Sequence, residues 1–148
     1  MLMQLLKWLI FTLICLPAIL SMRNGVEAAE EPLKELNQLQ WKKRVILLHV
    51  DEQKLNETKR NLEEHNEGIV DRDIAWFVVA GGKIHTNHPG AIAPALRGDI
   101  LSYFSGDYSV VLLGKDGGVK QRLDSLEILK IFDVIDSMPM RIREMRRQ

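Results

Sequence analysis

Four apolar segments interrupt a polar background along this chain. Arg44 to Val50 (RVILLHV) and Ile74 to Ala80 (IAWFVVA) are near-continuous apolar runs of strand length, rich in β-branched residues, which predicts strands buried on both faces. Between them Asp51 to Asn66 is polar, with Leu55 and Leu62 on one side, Asp51 in position to cap and Gly68 to stop, so a charged helix is expected. Strand, helix and strand in this order make a parallel βαβ unit with Arg44 to Val50 as the central strand. Tyr108 to Gly114 (YSVVLLG) is a third apolar strand, and a fourth alternates Val119, Gln121 and Leu123 against Lys120 and Arg122. The intervening KDGG predicts a hairpin turn of type I′, with positive φ at both central positions.

A final helix is expected from Asp124, with Glu127 completing a capping box and Leu126, Ile128, Leu129, Phe132 and Ile135 forming an apolar stripe. Pro139 should kink or end it near Met138. Gly81 to Gly106 lacks periodicity and reads as a loop followed by a short helix opened by Pro94, with Gly98 weakening it. Leu33, Leu36 and Leu39 suggest a short N-terminal helix or turn.

The first 28 residues differ from the rest. Lys7 precedes an uncharged apolar run from Trp8 to Leu20, shorter than the roughly 20 residues a membrane span needs. Val26 and Ala28 supply small side chains for a signal peptidase, so residues 1–28 are expected to be a signal peptide cleaved between Ala28 and Ala29. The domain at 29–148 would then be secreted or periplasmic, without stable membrane insertion; the alternative is an uncleaved N-terminal membrane anchor. Ile14 before Cys15 argues against lipid attachment. Cys15 is the only cysteine in the chain, so the processed domain has no thiolate and no route to thiol redox chemistry.

Composition narrows the chemistry further. Twenty basic and twenty acidic side chains balance, so no long-range field draws the whole molecule to nucleic acid, and none is expected as a partner. The glycines of GKDGG are not a phosphate loop, because Lys115 precedes them and a polar strand, not a helix, follows. His85 and His88 lie three apart beside Pro89 and Gly90, without a third ligand nearby, and no metal or cofactor is expected. No serine sits in a nucleophile elbow. Candidate binding residues remain at the hairpin, where Lys115, Asp116 and Lys120 should project into solvent, and in the arginine-rich C-terminus, where Arg141 and Arg143 could grip an anion or simply complement a helix dipole.

Trp41 and Arg44 (W-x-x-R), Asp71 to Asp73 (DRD), Leu112 to Lys120 (LLGKDGGVK) and Ile135 to Met145 (IDSMPMRIREM) together resemble the bacterial secreted domain of unknown function called DUDES, related to domains of animal extracellular matrix proteins with sushi repeats. The resemblance spans essentially the whole processed chain. It implies an α/β thioredoxin-like, peroxiredoxin-related fold, here with a four-stranded mixed sheet: a βαβ unit plus a C-terminal ββα, flanked by helices. The turn after the first strand, VDEQKL, has no cysteine where redox-active relatives place theirs, and GDYSV before the third strand lacks their cis-proline. The expected function is therefore a non-catalytic module that binds a protein or glycan partner. The alternative is a cysteine-free enzyme or small-anion binder built on Lys115, Asp116, Lys120, Arg141 and Arg143.

Overall fold

The computed structural model describes residues 31–147; the expected cleavage between Ala28 and Ala29, and with it the choice between signal peptide and anchor, lies outside the described residues. In chain order a 3-10 helix (Leu36–Leu39) leads into β1 (Arg44–His49), α1 (Glu52–Glu64), α2 (Asn66–Asp71), β2 (Ile74–Ala80), β3 (Lys83–Thr86), α3 (Leu96–Leu101), β4 (Val110–Leu113), β5 (Val119–Leu123), α4 (Ile128–Asp136) and α5 (Pro139–Met145). The strands form one mixed sheet in the order β3-β2-β1-β4-β5. β1 and β2 run parallel with Arg44 opposite Ile74 and His49 opposite Val79, and the other pairings are antiparallel.

The apolar continuity of the strands follows from burial on two sides. On one face Ile46, Leu48, Trp76, Val78, Val110 and Leu112 meet Leu62 of α1, Ile69 of α2 and Ile128, Ile131, Phe132 and Ile135 of α4. On the other, Val45, Leu47, Phe77, Val79, Val111 and Leu113 meet Leu33, Leu36, Leu39, Leu96 and Ile100. Each such side chain taken fully out of water contributes about 1.5–3 kcal/mol, so the two cores fix which end of the sheet every loop occupies. The fold is α/β and thioredoxin-like, with a parallel βαβ unit, an antiparallel hairpin and a helix returning to the face of α1.

The sheet has five strands rather than the expected four. β3 adds to the outer edge of β2 through a two-residue turn, Gly81–Gly82, whose φ values of +52° and +80° are the pair that a type I′ hairpin requires. Where β3 ends, the Asn87 side chain continues the edge: its Oδ1 accepts the Trp76 N–H at 2.8 Å and its Nδ2 donates to the Ile74 carbonyl at 3.1 Å. Four residues are too few for alternation to register in the sequence.

The β4–β5 hairpin forms where expected but with a different turn. Gly117 N–H bonds back to the Gly114 carbonyl at 3.0 Å, and of the two central residues expected at positive φ only Gly117, at +78°, has it. Gly68 does not stop a helix. The first helix breaks at His65, and Gly68 sits inside α2, where a Cβ would come within 2.6 Å of the Phe132 ring. Asp124 and Glu127 form no capping box; α4 starts at Ile128, and the preceding bend lets Leu126 reach the core. Pro139 opens α5 instead of merely closing α4, its fixed φ and missing N–H suiting a helix's first turn.

Gly117→Val should lower the denaturation midpoint, since a β-branched residue in the left-handed region is strained by about 1–2 kcal/mol. Gly98→Ala should raise it, with a gain in stability of about 0.4–1 kcal/mol, because a Cβ there meets nothing within 4 Å in a helical position. Urea titrations of both variants check the pair of signs.

Candidate functional site

The parallel pairing of β1 with β2 puts the residues just before each strand side by side. Lys43 and Arg44 therefore lie next to Asp71-Arg72-Asp73, and the Arg44 N–H donates to the Asp73 carbonyl at 3.0 Å. The tip of the β4–β5 hairpin and the α4–α5 corner reach the same end of the sheet. Asp73 adopts φ +52°, a left-handed conformation that ends the α2 turn and starts β2 at once.

Four cations and four carboxylates meet there. Arg44, only 1% exposed, donates to the Arg72 carbonyl at 2.9 Å and to Glu144 Oε2 at 3.1 Å. Glu144 Oε1 accepts from Lys115 Nζ at 2.8 Å, and the same ammonium donates to Asp73 Oδ2 at 2.9 Å. Arg72 forms a two-pronged bond to Asp136, at 3.0 and 2.6 Å, while its guanidinium lies 4.3 Å over the Phe132 ring. Arg141 is buried; it donates to Asp136 Oδ1 at 3.3 Å, to the Asp71 carbonyl at 2.9 Å, and to the Asp71 carboxylate. Planar guanidinium groups suit such sites because they satisfy two or three acceptors from one position.

The electrostatics are those of a neutralised cluster. Burial pushes the Asp73 carboxyl up, but the hydrogen bond and charge of Lys115, helped by Lys43, outweigh it and hold the group below the ordinary carboxylate range. Burial likewise opposes ionisation of Asp136 and Glu144, and is overcome by Arg72 and Arg141 at the first and by Lys115 and Arg44 at the second.

These contacts revise the solvated picture of the hairpin. Lys115 does not project into solvent: its side chain is 9% exposed and held between two carboxylates. Arg141 is an internal group and not a free cation. Asp116 and Lys120 do remain at the surface, paired to each other at 2.6 Å, and Arg143 is exposed, donating only to the Pro139 carbonyl. A cavity of about 360 Å³ is lined by Arg44, Lys115, Asp116, Lys120, Met138 and Pro139, so three of the five candidate residues converge and Arg141 and Arg143 do not. The partners Asp71, Arg72, Asp73, Asp136 and Glu144 carry no assigned role in a reading of the sequence. Their only local signal is charge placed immediately before an apolar strand or after an apolar helix.

The opposite end of the sheet holds a second cleft. About 410 Å³ is enclosed by His49, Val50 and Asp51 at the carboxyl end of β1, by Lys54, Glu57 and Asn61 of α1, and by Ser109, Asp124 and Ser125. This is the position at which open α/β sheets hold ligands. Asn61 Oδ1 is buried there without a hydrogen-bond partner, and His49 lies 5.7 Å from the Phe104 ring. Among the described residues no group of three or more His, Cys, Asp or Glu side chains is placed to hold a metal ion; His85 lies in β3 and His88 beside Phe77.

Residues 35–144 match the domain of unknown function DUF4174, a span that takes in all eight charged residues of the cluster and ends on Glu144. The chain belongs to this family. No curated protein and no solved structure matches it. Within the matched span, Arg44, the DRD segment Asp71 to Asp73, Lys115, Arg141 and Glu144 are the residues that hold this end of the sheet together.

Lys115→Met should lower stability by about 1–3 kcal/mol, because two carboxylates lose their shared donor, whereas Lys120→Ala should stay within about 0–1 kcal/mol. Thermal melts compare them directly; equal losses would mean that Lys115 contributes no more than a surface ion pair. For Asp136, depressed in the folded state, stabilisation is present above the unfolded value of about 3.9 and is lost as pH falls through the lower folded value. The melting-temperature gap between the native chain and Asp136→Asn should therefore be full at neutral pH and close below about pH 4.

Proposed function

We propose that this DUF4174 domain is an exported, non-catalytic binding module of the DUDES type, released by cleavage between Ala28 and Ala29, that holds a protein or glycan partner in the cleft at the carboxyl end of β1. The observation that carries the reading is the closure of the charged cluster. Arg44, Arg72, Lys115 and Arg141 each meet a carboxylate of the same chain, so of the cations that a sequence reading would offer to an anionic substrate Lys115 and Arg141 are already neutralised, Lys120 is paired with Asp116, and Arg143 stays exposed on the Pro139 carbonyl. The alternative, a cysteine-free enzyme or small-anion binder built on Lys115, Asp116, Lys120, Arg141 and Arg143, draws correspondingly little support.

The cleft at the other end has the chemistry of a recognition groove. It presents hydroxyl, amide, carboxylate and ammonium groups from Ser109, Ser125, Asn61, Glu57 and Lys54, suited to the many hydrogen-bonding groups of an extended peptide or a sugar chain. It lies where a thioredoxin-like redox protein would carry its cysteine, and this chain has Val50-Asp51-Glu52 there.

Photo-crosslinking in the native envelope, with the crosslinker placed in turn at Glu57 and at Lys130, tests the assignment. A discrete adduct should form from position 57 and not from 130, and Asn61→Leu should weaken it. Adducts of equal yield from both positions, or none from 57, would sink the cleft as the binding surface.

A further inference from the structure

Three of the four large apolar side chains that stand exposed among the described residues gather at the charged end of the sheet. Trp41 (64% exposed) lies three positions before the start of β1, Val70 (65%) lies in the last turn of α2 before β2, and Met145 follows Glu144 at the end of α5. The fourth, Leu129, is in the first turn of α4, the opposite end of that helix from Asp136. Trp41 also holds φ +65°, pinned by its N–H to the Lys115 carbonyl. A bulky residue held in the left-handed region while its side chain stays in water is strained without gaining burial, and such strain marks functional positions.

The charge around these residues is one-sided. Lys42, Lys43, Arg146 and Arg147 are exposed here, with Arg143 one turn earlier in α5. Lys43 is paired with Asp73 at 3.5 Å, and Asp71, Asp73 and Glu144 are bound to Arg141, Lys115 and Arg44. The cluster therefore engages the local acids, and among the described residues Lys42, Arg143, Arg146 and Arg147 form no ion pair. Lys42, Lys43 and Val70 line one groove of about 620 Å³, together with Glu31, through which the chain enters the domain from its apolar N-terminal run.

We infer that this end of the domain is a docking face for an anionic lipid bilayer. The indole of Trp41, the apolar side chains of Val70 and Met145 and the stems of the lysines would lie at headgroup depth, with the cationic groups against lipid phosphates. Neither a neutral apolar partner nor a compact anion fits as well: the first would leave four or more cations facing an uncharged surface, and the second would leave three apolar side chains unused. Docking in this way turns the β1 cleft away from the membrane. The inference does not depend on what that cleft binds.

The full chain in a Cys15→Ser background is labelled with an environment-sensitive nitrobenzoxadiazole group through Val70→Cys and, separately, through Leu129→Cys. Each is mixed with vesicles of phosphatidylcholine alone or of phosphatidylcholine with phosphatidylglycerol. Residues 8–20 are apolar enough to associate with either vesicle, so the environment of the label, rather than sedimentation, reports on the face. On the anionic vesicles the label at position 70 should brighten and shift to the blue while that at 129 does not. Lys42→Glu with Arg146→Glu and Arg147→Glu should abolish the response, each lost cation weakening partitioning about fivefold. Equal responses at the two positions, or equal responses on neutral and anionic vesicles, would overturn the inference. So would a response to soluble heparin that vesicles fail to produce, which would make this face a polyanion site.

Discussion

The charge of Arg44 has to be met inside the protein, and much of the domain's organisation follows from that requirement. It opens the central strand, where both faces and both edges of the backbone are covered, so its guanidinium lies where water does not reach. An isolated buried charge is untenable, and removing one member of a buried pair typically costs about 3–5 kcal/mol. Glu144 supplies the countercharge from a helix a hundred residues away in sequence, and to do so α5 must lie across this end of the sheet. Lys115 joins Glu144 to Asp73, which ties the hairpin to the start of β2; Asp136 joins Arg72 to Arg141, which ties α4 to α2 and α5. Directional bonds thus fix the relative placement of five segments that apolar packing alone would hold less uniquely.

The same arrangement separates the two ends of the molecule chemically. At the amino ends of β1 and β2, charge is turned inward and neutralised, and the surface left over is cationic and apolar. At the carboxyl end of β1 the charged groups line an open cleft, and Asn61 keeps a buried acceptor unpaired. A thioredoxin-like sheet without a thiol thus retains the groove geometry of the fold but presents hydrogen-bonding groups in place of a nucleophile. The ends also differ in their response to acid. Protonating Asp73, Asp136 or Glu144 would release cations into a site that cannot solvate them, so this end is expected to loosen before the apolar cores do.

How much of this was legible in the amino-acid sequence depends on the distance over which each feature is determined. The order of strands and helices, the burial of Arg44 to Val50 and Ile74 to Ala80 on both faces, and the hairpin at GKDGG follow from apolar runs, turn glycines and helical spacing, all of which act within a few residues. So does the absence of cysteine from residues 31–147. Boundaries were less secure for the same reason. Gly68 has the local look of a helix stop and Asp124 with Glu127 that of a cap, yet Phe132 needs the space a glycine leaves and Leu126 is drawn into the core, and both demands come from partners distant in the chain. The short edge strand β3 owes its existence to the exposed edge of β2, which a four-residue window does not reveal.

The functional residues divide along the same line. Lys115 reads as a free cation because it sits between Gly114 and Asp116 at a turn, and Arg141 because it belongs to an arginine-rich terminus; only the tertiary structure sets Asp73 and Glu144 around one and Asp71 and Asp136 around the other. Whether a charge is a ligand-binding group or a structural pin is decided by what faces it across space, over separations of 5 to 100 residues in this cluster, and no pattern of spacing along the chain encodes that pairing. Sequence alone determined the fold class and the lack of cysteine in the described residues, since both depend on residue type and local order; the tertiary structure decided which charges are spoken for and which remain at the surface.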